Sequence, residues 1–234
     1  MEKKPFNIAI DGPAGAGKST IARTVARKLG FIYVDTGAMY RAIALFVLRQ
    51  GIDKNDEEAV SEAVKGAQIT IQYQDGAQQV MLNGENVSGL IRTEEVGNTA
   101  SAVSVYPAVR AHLLELQRGL AASADVLMDG RDIGTCILPN ADTKIFLTAS
   151  SRVRAMRRYK ELTEKGVMCN LEEIEQDIIE RDARDMNREI APLRQAEDAV
   201  LVDSSEMTVA EVVQAIIVEA ATHGLAADRV QAGD

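Results

Sequence analysis

The stretch Gly12-Pro13-Ala14-Gly15-Ala16-Gly17-Lys18-Ser19-Thr20 fits the pattern G-x-x-x-x-G-K-[ST] without substitution, and no other feature constrains the chain as much. A strand-like run, Phe6-Asn7-Ile8-Ala9-Ile10, precedes it, and Ile21, Ala22, Val25 and Leu29 follow at helical spacing. Strand, glycine loop and helix in that order form a phosphate cradle. The glycines let the backbone curl with its N–H groups inward, and the helix N-terminus adds partial positive charge. Lys18 is placed to reach the outer phosphates of a polyphosphate, and the Ser19 hydroxyl to hold Mg²⁺.

At 234 residues the chain is long enough for one domain with an elaboration. Its 26 basic and 35 acidic residues give a net charge of −9, which argues against general attraction to nucleic acid or anionic membrane, so any anion site must be local. Cys136 and Cys169 lack metal-ligand spacing, and His112 and His223 are too few for a histidine metal cluster. A reduced, cytoplasmic protein is the expectation. No apolar stretch approaches the roughly 20 residues that span a bilayer, and Met1-Glu2-Lys3-Lys4-Pro5 leads only into a short apolar strand, unlike a signal peptide.

Along the chain, Gly30 ends the first helix and Phe31-Ile32-Tyr33-Val34 reads as a short buried strand ending in Asp35-Thr36-Gly37. Asp35 or Thr36 caps a second helix with Met39, Ile43, Phe46 and Val47 inward and Arg41 in its early turns. From Gln68 to Val87 the period changes to two, broken by Asp75-Gly76 and Asn83-Gly84, which are hairpin signals for a small antiparallel insert. Thr93–Ala102 is expected to be helical; Pro107 starts the next helix, with Ser104 a candidate cap and Arg110 near its beginning.

Val126-Leu127-Met128-Asp129 is an apolar strand ending in a carboxylate, suited to supporting Mg²⁺ directly or through water, and Gly130-Arg131-Asp132 follows at the strand's C-terminal edge, where ligands of open α/β sheets bind. After the strand Lys144–Thr148, Arg154, Arg157 and Arg158 stand three and four apart, so on a helix they converge and repel one another unless an anion intervenes. That pattern suggests a closing lid. Gly166 ends this helix, and Asn170 with Glu173 resembles a capping box for another running to about Ile190. That helix has Leu171, Ile174, Ile178 and Met186 inward and Arg181 spaced to bridge Asp185. Ala199–Asp203 is expected as a last core strand, Thr208 with Glu211 as the cap of a closing helix, and Leu225–Asp234 as a frayed tail.

Four segments together resemble the bacterial cytidylate kinases of the nucleoside monophosphate kinase group: Ile10–Thr20, Val34–Arg41, Asp129–Gly134 and Arg181–Arg188. The first is shared by many ATPases, whereas the other three in this order are far more specific, and the resemblance runs from about residue 7 to about 220. It implies an α/β P-loop three-layer sandwich, with a five-stranded parallel sheet, a small antiparallel β insert that binds the nucleoside monophosphate, and a helical lid. The core is expected at 6–66, 107–150 and 195–223, the insert at about 67–106, and the lid at about 151–170 with its following helix to about 190. The implied activity is transfer of the γ-phosphoryl group of ATP, with Mg²⁺, to CMP or dCMP by a monomer.

The same resemblance assigns roles. Gly12 through Thr20, Arg154 and Arg157 look like ATP-binding residues, with Arg154, Arg157 and Arg158 the lid arginines. Lys18, Arg131, Arg158 and Arg188 look catalytic. Arg41, Arg131 and Arg188 look like acceptor-phosphate ligands, and Thr36, standing where relatives often carry Ser, like a further CMP-binding residue; Ser101, Arg110 and Asp132 look like cytosine readers, and Asp185 like a ribose ligand. Ser19 and Asp129 look like the Mg²⁺ pair. Sugar and shikimate kinases share the cradle and lid but have no need of a base-reading insert. A GTPase switch needs an N-K-x-D segment that the chain lacks.

Overall fold

The computed structural model describes residues 4–226. Within it, β1 (Asn7–Asp11), α1 (Lys18–Leu29), β2 (Ile32–Asp35) and α2 (Thr36–Arg49) follow one another closely. Next come α3 (Glu57–Ala63), β3 (Ile69–Gln74), β4 (Ala77–Leu82), β5 (Glu85–Asn86), α4 (Glu94–Val103) and α5 (Pro107–Ser123). The chain then runs through β6 (Val126–Gly130), a π-turn at Ile133–Ile137, β7 (Thr143–Thr148), α6 (Ser151–Glu164), α7 (Leu171–Asn187), β8 (Val200–Asp203) and α8 (Val209–Thr222).

Strands β2-β6-β1-β7-β8 form a parallel sheet in that order, and β3-β4-β5 a separate antiparallel one. Strands β1, β2, β6 and β7 are buried on both sides because each side is covered. Ile8 and Ile10 pack with Ile21, Val25, Val213 and Ile216 of α1 and α8, while Ala9 and Met128 pack with Met39, Ile43 and Leu113 of α2 and α5. The period-two alternation of a strand thus sends successive residues into two cores, which gives three layers. The small sheet and α4 extend the second core through Val80, Leu82, Val96 and Val103.

Asp75 (φ 51°) and Asn83 (φ 49°), each followed by a positive-φ glycine, make the two turns expected of Asp-Gly and Asn-Gly. The caps are as the sequence indicates at Asp35, which accepts from Ala38 N, and at Thr208–Glu211, a full capping box. Gly12, at φ 150°, is needed for another reason: a Cβ there meets the Leu147 carbonyl oxygen at 1.9 Å. Gly12→Ala is therefore expected to destabilise the fold by about 3 kcal/mol or more, read from the urea midpoint; a loss below about 0.5 kcal/mol would contradict this.

Several expectations change. Ala199–Asp203 supplies an edge strand, in which Val202 alone of β8 is buried. Ser104 sits at the C-terminus of α4, its hydroxyl donating to Ser101 O, and the cap position of α5 is Tyr106 without a side-chain bond. Asn170 accepts from Glu172 N and Glu173 N, with no return bond from Glu173. Helix α7 stops at Asn187, because Arg188 is already extended, and Met186 is exposed. Leu225, expected in a frayed tail, is buried, while 227–234 and the first three residues lie outside the described part. Helix α3 has no counterpart in the sequence reading. No helix among the described residues is long and apolar enough to cross a membrane.

Candidate active site

All five parallel strands point their C-terminal ends at one cavity of about 790 Å³. From β1 come Ala14–Thr20, from β2 Asp35–Gly37, from β6 Asp129–Asp132, from β7 through α6 Arg154, Arg157 and Arg158, and beyond β8 Ser204. Lys18 and the arginines 41, 92, 110, 131, 154, 157, 158, 181 and 188 line it, against Asp35, Asp129, Asp132, Glu161 and Asp185. An acidic chain has gathered Lys18 and nine arginines in one cleft, and such a cleft suits an anion with several charges.

The cradle sits at one end. Lys18 is buried and its ammonium donates to Pro13 O at 2.7 Å; burial pushes its pKa well below the lysine range, with Arg131 adding to the effect. Ser19 Oγ donates to Asp129 Oδ2 at 3.0 Å, and Tyr33 Oη to Asp129 Oδ1 at 2.9 Å. Burial, with Asp35 next, raises Asp129 to about 6. A hydroxyl and a carboxylate held side by side fit a hard cation, which binds through oxygen and keeps waters and phosphate oxygens as its other ligands. Gly12 and Pro13 do not line the cavity; Gly12 serves the approach to β7, and Pro13 offers its carbonyl to Lys18.

At the other end, Arg110 Nη2 pairs with Asp132 Oδ2 and its guanidinium lies 5.8 Å over the Tyr40 ring. Both members of the pair are nearly buried. Burial pushes Asp132 upward, while Arg110 and Arg188 pull it back. Arg188 Nη2, 4.0 Å from Asp132 Oδ1, has no hydrogen-bond partner in the structure, and its Nε donates to Ala191 O at 2.6 Å. Arg131 and Asp132, adjacent in sequence, turn to different partners, since Arg131 Nε pairs with Asp185 Oδ2 at 2.9 Å. Thr36 and Ser101 line the same wall, Thr36 Oγ1 donating to Asp129 O at 2.8 Å. Arg41 donates to Ile91 O at 3.2 Å, and burial lowers its pKa.

The lid arginines do not cluster as their spacing suggests. Arg154 is buried and bound to Ala149 O, Ala14 O and Asp182 Oδ2; Arg157 bonds Ser204, and Arg158 pairs with Glu161. Arg154 thereby ties α6 to the cradle and to α7. Arg181 does not bridge Asp185, which Arg131 takes instead, and Arg181 Nε is buried without a partner in the structure.

The sequence reading passed over Arg92, which pairs with Asp35 Oδ2 at 2.9 Å, and Gln78, whose amide bonds both the N–H and the carbonyl of Asp35. Both belong to the insert, and nothing local marks a residue that meets its partner over 40 positions away. Tyr40, raised to about 12 mainly by burial, was given no role of its own within the segment Val34–Arg41, and Arg181 was legible only as a helix cation spaced to bridge Asp185.

A family profile described as Cytidylate kinase matches residues 8–222. The cytidylate kinase of Caldicellulosiruptor saccharolyticus is 50% identical over 214 residues, 92% of this chain and 95% of that protein. That of Ligilactobacillus salivarius is 48% identical over 222 residues, 94% of this chain and 99% of that protein. A solved structure of an uncharacterized protein from Eubacterium ventriosum, 10% identical, shares the fold alone, with a TM-score of 0.51 and 93% and 99% of the two chains covered. With a phosphate cradle at one end of the cleft, a buried Arg–Asp pair at the other and this likeness over nine-tenths of its length, the chain belongs to the cytidylate kinase family.

Proposed function

We propose that the chain transfers the γ-phosphoryl group of ATP to CMP or dCMP, giving ADP and CDP or dCDP. The observation that carries this reading is the buried Arg110–Asp132 pair in the same cleft as the cradle. Cytosine presents an exocyclic amine donor and ring acceptors. A carboxylate and a guanidinium side by side complement both, whereas uracil leaves buried groups unpaired. Ser101 adds a hydroxyl to this base site, and Asp185 receives the ribose.

Phosphoryl transfer needs two anions held in line while charge spreads over the moving group, so positioning and electrostatics carry the catalysis. In this reading the cradle amides, Lys18, Arg154 and Arg157 hold ATP. Arg41, Arg131 and Arg188 hold the acceptor phosphate with Thr36 beside them in the acceptor site, and Lys18, Arg131, Arg158 and Arg188 face the transferring group. Ser19 and Asp129 would hold Mg²⁺, which supplies charge neutralisation on the phosphates. Residues of about 67–106 act as the acceptor-binding arm, and 151–190 as the lid that keeps water from the γ-phosphoryl group. Every group named lies on one chain, so a monomer suffices, and the substrates suit a cytoplasmic enzyme.

The test is ADP formation from ATP and Mg²⁺ with CMP, dCMP, UMP, AMP, GMP and shikimate offered singly. Turnover with CMP or dCMP far above the rest is expected. A faster reaction with shikimate or a purine nucleotide would leave the cradle standing and remove the base-reading roles.

A further inference from the structure

Asp132 occupies the cap position of the π-turn Ile133–Ile137, yet its side chain makes no capping bond. An aspartate at such a position ordinarily turns its carboxylate back onto the first free N–H groups of its own turn. Here those groups are already taken. Asp11, the last residue of β1 and 5% exposed, accepts from Ile133 N at 2.8 Å through Oδ1 and from Gly134 N at 2.7 Å through Oδ2. At the other end of the turn, Arg118 of α5 donates through Nε to Ile137 O and through Nη2 to Cys136 O, each at 3.1 Å. The Asp132 backbone is also engaged, its carbonyl accepting from Cys136 N at 2.9 Å and Ile137 N at 3.2 Å. With both ends satisfied from outside, the Asp132 carboxylate faces Arg110 and Arg188 and takes only the Cys136 thiol from its own turn.

We infer that Asp11 is a positioning residue for acceptor recognition. It caps the turn in place of Asp132 and so releases that carboxylate to read the acceptor base, with Arg118 holding the far end of the turn. Asp11 immediately precedes Gly12, so the same strand end that opens the phosphate cradle also sets the acceptor reader. One buried side chain thus fixes the two halves of the site relative to each other. The inference rests on the proposed base-reading role of Asp132.

Replacing Asp11 by asparagine keeps its size and one acceptor oxygen but sets an amide N–H against one of the two turn N–H groups. The orphaned amide then draws Asp132 back toward its own turn and away from Arg110. The experiment measures kcat/KM for CMP and for UMP, KM for ATP and the thermal midpoint in wild type, Asp11→Asn, Arg118→Ala, Asp132→Ala and the Asp11→Asn/Asp132→Ala double variant. Asp11→Asn is expected to lower the CMP:UMP ratio about tenfold, equivalent to about 1.4 kcal/mol, with ATP KM changed less than about twofold. Arg118→Ala, at an exposed position, lowers the ratio by about threefold, and Arg118→Lys restores part of it. Once Asp132 is alanine, Asp11→Asn has nothing further to remove from the ratio.

A CMP:UMP ratio unchanged in both single variants, with only the thermal midpoint lowered, makes Asp11 and Arg118 structural and overturns the inference. A ratio retained by Asp132→Ala overturns the base-reading role beneath it. Should Asp11→Asn not fold, the ratio in Arg118→Ala decides.

Discussion

Replacing Lys18 by alanine is expected to lower kcat by about 10²–10³-fold while the far-ultraviolet circular dichroism of the folded chain persists. Lys18 is 6% exposed and its ammonium makes one hydrogen bond, to Pro13 O, so two N–H groups remain for phosphate oxygens. Burial and Arg131 both work against its charge, and Asp129, Asp11 and Asp185 work for it. A cation kept in so costly a place gains most from an anion whose charge grows in the transition state. The fold does not depend on it, because the loop backbone and the helix α1 face carry the packing through Ile21, Val25 and Leu29. Turnover within about tenfold of wild type would exclude Lys18 from catalysis.

Replacing Asp132 by alanine is expected to raise the CMP KM by about 10²-fold or more and to erase preference for CMP over UMP, with ATP KM nearly unchanged. Its partner Arg110 has only 13% of its side chain exposed and would be left as a buried, uncompensated charge, an arrangement that costs about 3–5 kcal/mol. Part of that cost falls on stability and part on acceptor binding, so the thermal midpoint should drop as well. Asp132→Asn separates the two effects, since an amide keeps a hydrogen bond to Arg110 but misreads the cytosine amine. Equal losses for ATP and CMP would move Asp132 from base reading to general support of the cleft.

Motifs with short-range mechanisms were the most legible part of the chain. The cradle, the Asp35 cap, the Thr208–Glu211 box and the two glycine turns of the insert each depend on residues within a few positions, so the linear pattern contains the whole interaction. The parallel strands were legible as apolar runs, but an apolar run does not say where in the sheet it lies. Val200–Asp203 reads like β6, and its place at the edge depends on where the sheet ends.

The charged pairs divide in the same way. Sequence placed Arg131 beside Asp132, Arg181 four residues from Asp185, and Arg154, Arg157 and Arg158 on one helix face. In the folded chain Arg131 takes Asp185, Arg110 takes Asp132, and Arg154 takes Asp182. A buried guanidinium must find an acceptor wherever the packing leaves one, and a partner on another element wins when it is already fixed in place and shielded from water.

By itself, then, the sequence determined the cradle, the alternation of strands and helices, the insert and most of the charged residues that meet in the cleft. Tertiary structure alone decided which charge faces which, that Gln78 and Arg92 of the insert hold Asp35, and that Asp11 caps the turn bearing Asp132. The physical reason is range: backbone propensity and capping act over a few residues. A hydrogen bond such as Asp11 to Gly134 spans 123 positions and exists only after the sheet has brought two strand ends together.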